Sequence, residues 1–167
     1  MADITVPIAI RDRVVSDLDG MGWSGSPSHL SSVRAELGRV ASGAVEYLAA
    51  CTASDLPVGK LGIDYALAVD AGTIYQAAVH PALQSCGIGT LLVGAAERRI
   101  LARGRSWSEL AVEHDNPRAR ALYERLGYRA YGDKREEWDA EGADGVTVRH
   151  ATMCTVMRKT LSTSSTR

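Results

Sequence analysis

Two stretches of this chain hold residues whose types and spacing can do chemistry. The first, Gln84-Ser85-Cys86-Gly87-Ile88-Gly89-Thr90, follows a β-like run and opens a segment with helical apolar spacing. A strand, a turn with two close glycines and a helix start together make a seat for a phosphate. The first N–H groups of a helix have no partner within it, and the helix dipole adds positive potential there. Gly87 and Gly89 carry no Cβ, so a pyrophosphate can approach the main chain closely. The second stretch runs from Asn116 to Tyr128. It places Ala119, Leu122, Tyr123 and Leu126 at i, i+3, i+4 and i+7 of a short helix. Asn116 before Pro117 reads as a cap and a first turn. Tyr123 fits either a core position or an aimed phenol, and the spacing leaves both open.

The phosphate ligand is narrowed by what is missing. A nucleoside triphosphate loop needs G-x-x-x-x-G-K-[ST], and Gly89 is followed by Thr90 with no lysine. A dinucleotide fingerprint fails at its third glycine, where Leu92 stands and Gly94 is out of register. Cys86 at a helix start invites a nucleophile reading, but no histidine accompanies it at a motif position. Val79-His80-Pro81, Gln84-x-x-Gly87-x-Gly89 and Asn116-x-x-Ala119-x-x-Leu122-Tyr123-Glu124-x-x-Gly127-Tyr128 together resemble the GNAT superfamily of acyl-CoA-dependent N-acyltransferases. Every key position of that last pattern is matched, and the resemblance is firm from Thr73 to Tyr131.

The resemblance implies acetyl-CoA as co-substrate and direct transfer to a primary amine, either a small amine or a protein N-terminus. It implies that Gln84, Ser85, Cys86, Gly87, Ile88, Gly89 and Thr90 hold the pyrophosphate and that Ala77 and Val79 hydrogen-bond the pantetheine arm. By the same resemblance Asn116 contacts that arm, the Val79 amide polarises the thioester carbonyl, and the Tyr123 hydroxyl meets the departing thiolate. A tyrosine near pKa 10 is a weaker acid than a thiol near 8.5, so full proton transfer is uphill by roughly 2 kcal/mol. A base is also needed, because an alkylammonium is free amine in only about one molecule in 2,500 at pH 7. The two positions where family members carry a carboxylate are Thr73 and Ala111 here. Glu113, two residues on and on the same strand face as Ala111, is the candidate base, with Glu46, Tyr75 and His80 behind it and a water chain to bulk solvent as an equal alternative. The missing carboxylates keep a second reading open, a protein of the same fold that binds or senses coenzyme A without turnover.

The elements that must position these residues follow from periodicity and punctuation. Strands are expected at Ile4–Ile10, Val45–Cys51, Val58–Leu67, Thr73–His80, Ser108–Glu113, Tyr128–Tyr131 and Val146–Met157. Helices are expected at His29–Val40, capped by Ser26 or Ser28, at Ile88–Arg103, ended by Gly104, and at Pro117–Leu126. In the second helix Ile88, Leu91, Leu92, Ala95 and Ile100 would face inward, with Glu97, Arg98 and Arg103 solvated. Asp17–Ser28 and Gly132–Gly145 read as loops and Asp70-Ala71-Gly72 as a turn. A βαβ crossover makes Ser108–Glu113 parallel to Thr73–His80. The sum is an α/β chain with the single-domain, three-layer GNAT-like fold, whose mixed, mainly antiparallel, splayed sheet is flanked by helices. The domain is expected to span residues 1–161, with Ser162–Arg167 a disordered tail.

Composition bounds the rest. An apolar fraction of 46% and a charged fraction of 23% are those of a soluble globular protein. A net charge of −1 gives no support to nucleic acid as a partner. No apolar run approaches the roughly 20 residues that span a bilayer. Cys51, Cys86 and Cys154 form no C-x-x-C pair, which argues against a metal site and for reduced thiols in a cytoplasm. The segment 132–145 is acidic on balance, which favours a cationic amine as acceptor. Homodimers are common for the fold.

Overall fold

The computed structural model describes residues 5–162, so Ile4 and nearly all of the expected tail lie outside the described residues. The elements in order are β1 (Ile8–Asp12), α1 (Pro27–Val40), β2 (Val45–Thr52), β3 (Pro57–Asp64), β4 (Ala71–Val79), α2 (Ile88–Ala102), β5 (Trp107–Glu113), α3 (Pro117–Arg125), β6 (Arg129–Glu141) and β7 (Thr147–Thr160). The strands form one mixed sheet in the order β1-β2-β3-β4-β5-β7-β6, flanked by helices. β4 and β5 pair parallel, as the crossover requires, while β1–β2, β5–β7 and β6–β7 pair antiparallel. The chain groups into two compact units, Met1–Gly62 with Gln76–Ala96, and Ile63–Tyr75 with Glu97–Arg167.

In the first unit β3 is buried along its whole length, as a central strand covered on both faces must be. A Cβ at Gly59 would stand 3.0 Å from Leu92 and 3.1 Å from Ile88 and Ala50, so the start of α2 presses directly onto β3 there. Leu91 is the exception on the expected inner face of α2, 49% exposed. The first strand starts later than expected, at Ile8. The expected loop 17–28 is instead wound into two 3-10 turns, Val15–Gly20 and Gly22–Ser24, followed by α1 from Pro27. Asp17 causes the first: its carboxylate accepts from the Val14 N–H at 2.9 Å and from both Arg11 terminal nitrogens at 2.7 and 2.9 Å. Ser26 caps α1 by accepting from the His29 N–H at 3.3 Å, with Pro27 as the first helical residue.

In the second unit Gly72 lies within β4, paired with Ser108, and not in a turn. A Cβ there would stand 2.5 Å from Ile100 Cγ1, so the glycine serves the close approach of α2 to the strand. At the other end of α2, Gly104 has φ +74, its N–H bonds Leu101 O at 2.8 Å and the Arg105 N–H bonds Ile100 O at 3.2 Å. That pair of bonds closes the helix in the expected way. β3 stops at Asp64 rather than Leu67 because the Asp64 carboxylate accepts the Ala66 N–H at 2.7 Å and turns the chain.

Glu97, expected in solvent, is half-buried and takes the Lys159 ammonium at 2.8 and 2.9 Å. It also accepts the Tyr128 hydroxyl at 3.0 Å, and that hydroxyl meets buried Ser108 Oγ at 2.7 Å. Tyr128→Phe leaves the Ser108 hydroxyl buried without its partner, and is expected to cost about 1–3 kcal/mol in denaturant unfolding with an unchanged slope.

The largest departure is the expected loop 132–145. It is the greater part of a 13-residue strand, β6, joined to the 14-residue β7 by a short turn. Its outward residues are charged and pair with each other: Lys134 with Glu136, Arg135 with Glu137, and Arg149 across the ladder with Glu137 and Asp139. Trp138 stacks on His150 with ring centroids 5.9 Å apart. Cross-strand pairs of this kind hold β6, which buries none of its own residues, so apolar alternation gave no sign of a strand over 132–141.

Candidate functional site

The residues singled out above fall into two groups, one in each unit. In the first unit β4 carries an irregular residue at Gln76, whose φ of +50 is unusual for a side-chain-bearing residue within a strand. Such a conformation costs roughly 1–3 kcal/mol and must be held by its surroundings. The Tyr47 hydroxyl does so, donating to Gln76 Oε1 at 2.7 Å. Ala77 and Val79 follow this kink, Ala77 exposed and Val79 half-buried. The strand ends as the His80 N–H bonds Val58 O at 2.8 Å, and His80 Nδ1 then accepts the Ala82 N–H at 3.2 Å.

The loop after it is exposed from Gln84 to Gly87. Ser85 has φ +63 and Gly87 φ +85, two left-handed residues flanking Cys86. A Cβ at Gly87 would meet nothing, so positive φ is what asks for glycine there, and the glycine leaves open space in front of the main chain. The Leu91 N–H bonds Gly87 O at 3.1 Å, which makes Gly87 the acceptor of the first helical bond of α2. The N–H groups ahead of Leu91 therefore point out of the helix start with its positive dipole end. Gly89 sits in that first turn, and the Ile88 side chain turns inward against Gly59 while Thr90 stays exposed. Gln84 Nε2 reaches back to Val79 O at 3.4 Å. Cys86 is exposed with its Sγ 3.7 Å from Gln84 O.

In the second unit Asn116 caps α3, its Oδ1 accepting the Ala119 N–H at 3.1 Å, which leaves its NH2 group outside the cap. Tyr123 is half-buried on α3 and meets Tyr128 edge-on, with centroids 5.9 Å apart. Burial pushes its phenol above the ordinary tyrosine pKa. Glu113 ends β5 opposite Cys154, half-buried. Burial, then the neighbouring Asp115 and Glu136 carboxylates, push its pKa up. Thr73 is buried and, among the described residues, its hydroxyl has no hydrogen-bond partner. Glu46, Tyr75 and His80 are each half-buried. In the acidic segment 132–145, Glu136, Glu137 and Asp139 pair with Lys134, Arg135 and Arg149 of the hairpin, and Asp133 meets His114 at 2.9 Å.

Gln76 and Tyr47 were not foreseen, and neither was Lys60, which is buried mid-strand in β3. A glutamine kink carries no glycine to betray it. Lys60 had a signal, a single charge inside the run Val58-Gly59-Lys60-Leu61-Gly62-Ile63. Among the described residues no cluster of His, Cys, Asp or Glu could hold a metal, and no helix is long and apolar enough to cross a membrane.

Residues 26–128 match the Acetyltransferase (GNAT) family. A mycothiol acetyltransferase from Gordonia bronchialis is 45% identical over 60 residues, which are 36% of this chain and 20% of that protein. The chain thus spans about a fifth of the length of that relative. Among solved structures, the ribosomal-protein-S18-alanine N-acetyltransferase from Escherichia coli superposes with a TM-score of 0.72 at 19% identity, covering 96% of this chain and 97% of that one. A phosphinothricin acetyltransferase from Sinorhizobium meliloti, in complex with AcCoA, gives a TM-score of 0.71 at 16% identity, covering 96% of this chain and 92% of that one. Likeness at these identities speaks to the fold.

Proposed function

The chain belongs to the acetyltransferase (GNAT) family, and on that premise we propose that it moves an acetyl group from acetyl-CoA directly to a primary amine. The observation that carries this reading is the loop at the start of α2, where left-handed Ser85 and Gly87 open exposed main chain before a helix N-terminus. The amides of residues 85–90 hold the pyrophosphate, and Gln84 orders the loop by its bond to Val79 O. Ala77 and Val79, set beyond the kink at Gln76, hydrogen-bond the pantetheine arm, and the Val79 amide faces the carbonyl oxygen. Asn116 offers its NH2 group to the same arm. The coenzyme supplies an acetyl thioester. The amine nitrogen forms the new bond to the acyl carbon as the bond to sulfur breaks, Glu113 takes the amine proton, and Tyr123 donates a hydrogen bond to the sulfur.

The test is thiol release from acetyl-CoA across a panel of primary amines, run beside calorimetry of coenzyme binding. Amine-dependent release supports transfer, and tight coenzyme uptake with no release for any amine would favour the non-catalytic reading. The base assignment has its own signature. A carboxylate whose pKa is raised acts as a base only above that raised value, so kcat/KM falls as pH drops through a point above the ordinary carboxylate range. Glu113→Gln is expected to remove that acid limb and lower kcat/KM by about 10²-fold at neutral pH.

A further inference from the structure

The first unit buries two basic side chains, neither of them hydrogen-bonded to a carboxylate among the described residues. Arg13, directly after β1, is 4% exposed, and among the described residues none of its three guanidinium nitrogens has a hydrogen-bond partner. The Tyr47 ring lies 5.0 Å from the guanidinium carbon, and the Asp17 carboxylate acts on the guanidinium through space. Lys60 is 1% exposed, and its ammonium hydrogen-bonds His29 Nε2. Gly25 fixes that contact: a Cβ there would stand 2.5 Å from the His29 ring. Trp23 adds a third buried donor, an indole N–H without a partner among the described residues. Trp23 and His29 are themselves half-buried.

A buried charge costs several kcal/mol unless it is paired, and buried cations are normally paired. Here the carboxylates that face the group are already engaged, Asp17 by Arg11 and Glu36 by Arg39. The titrating groups register the deficit. Burial, then Arg13, holds Lys60 down to about 7, and burial, then Lys60 and Arg13, holds His29 down to about 4. Tyr47 is pushed far above the ordinary phenol by burial, so it supplies no negative charge.

We infer that Arg13, Lys60 and Trp23 form a seat for a carboxylate, and that the acceptor amine carries this carboxylate, as an amino acid does. A guanidinium fork matches a carboxylate's two oxygens, and the ammonium and indole N–H complete the donor set. The placement suits an acceptor. The Trp23 ring leans on His80, 5.4 Å between centroids, and His80 directly follows Val79. The Tyr47 ring beneath Arg13 ends in the hydroxyl that holds Gln76, the residue before Ala77. The seat therefore adjoins the strand end assigned to the thioester, and its second half rests on the transfer reading.

The test separates the two claims. The Trp23 indole N–H signal, identified by its loss in Trp23→Phe, is titrated with sodium acetate against sodium chloride at constant ionic strength, and separately with acetamide. A saturable shift with acetate is expected below about 100 mM, absent with acetamide and lost in both Arg13→Met and Lys60→Met. Both variants remove an unpaired buried cation, so both should melt no lower than the parent without ligand. No saturation, an equal response to acetamide, or a response retained in both variants would overturn the seat. Thiol release is then compared for free L-amino acids and their carboxamides. Preference for the acid form by about tenfold or more in kcat/KM, collapsing in Arg13→Met, is expected. Equal rates for the two forms would overturn the carboxylate acceptor. Acetate binding without release for any amine would sink the transfer reading and leave the seat standing, and release without acetate binding would do the reverse.

Discussion

Tyr123→Phe is expected to lower kcat by about 10–100-fold while the affinity for acetyl-CoA stays within a factor of about two. The size follows from what the phenol can do. Burial raises its pKa, which makes an already weak acid weaker. Proton transfer to a leaving thiolate is then further uphill than the roughly 2 kcal/mol that ordinary values give. A hydrogen bond to charge building on sulfur carries no such penalty, and one bond to a charged group is worth about 1.5–3 kcal/mol. A loss near 10³-fold or beyond would instead point to true general-acid work. Phenylalanine keeps the ring that meets Tyr128 edge-on, so packing changes little and the hydroxyl alone is tested. Pre-steady-state thiol release against coenzyme affinity separates the two effects. Turnover at the parent rate would remove Tyr123 from the chemistry.

Much of this arrangement is legible in the residues themselves because local chemistry fixes it. Ser26 and Asn116 are caps that any helix start would favour, and Gly104 is the stop that a left-handed residue requires. The parallel pairing of β4 with β5 follows from a single crossover helix. What escapes is whatever depends on partners distant in sequence. Glu97 looks like any helix-surface charge until Lys159, 62 residues on, is placed beside it. The β6–β7 hairpin is held by charge pairs and one aromatic stack across the ladder, none of which leaves an apolar period. Gln76 takes its strained conformation from Tyr47, 29 residues earlier. The loop before α2 sits between these extremes: its glycines are legible in the sequence, yet the second left-handed residue is Ser85, a type that does not announce positive φ.

Gly72 shows the same division and yields the largest expected effect on stability. Read locally, Asp70-Ala71-Gly72 is a turn, and glycine is there for its backbone freedom. The structure gives Gly72 no positive φ and puts it in β4 against Ile100. These two accounts predict different energetics. In an ordinary strand Gly→Ala gains up to about 1 kcal/mol by restricting the unfolded chain. Here the new methyl would meet Ile100 Cγ1 at 2.5 Å, Cδ1 at 2.8 Å and Cγ2 at 3.2 Å. Ile100 is fully buried and β-branched on a helix, so it has one favoured rotamer and no room to swing away. Overpacking of this kind costs about 1–3 kcal/mol, so Gly72→Ala should be destabilising in net. Ile100→Ala alone opens a cavity and should cost about 2–5 kcal/mol. In the double variant the added methyl occupies space that the isoleucine has vacated, so the combined loss should fall short of the sum by more than about 1 kcal/mol. A turn that needs glycine for its backbone would give two additive losses. The coupling measured by denaturant unfolding of all four proteins therefore decides whether Gly72 is in the chain for its conformation or for the absence of a side chain.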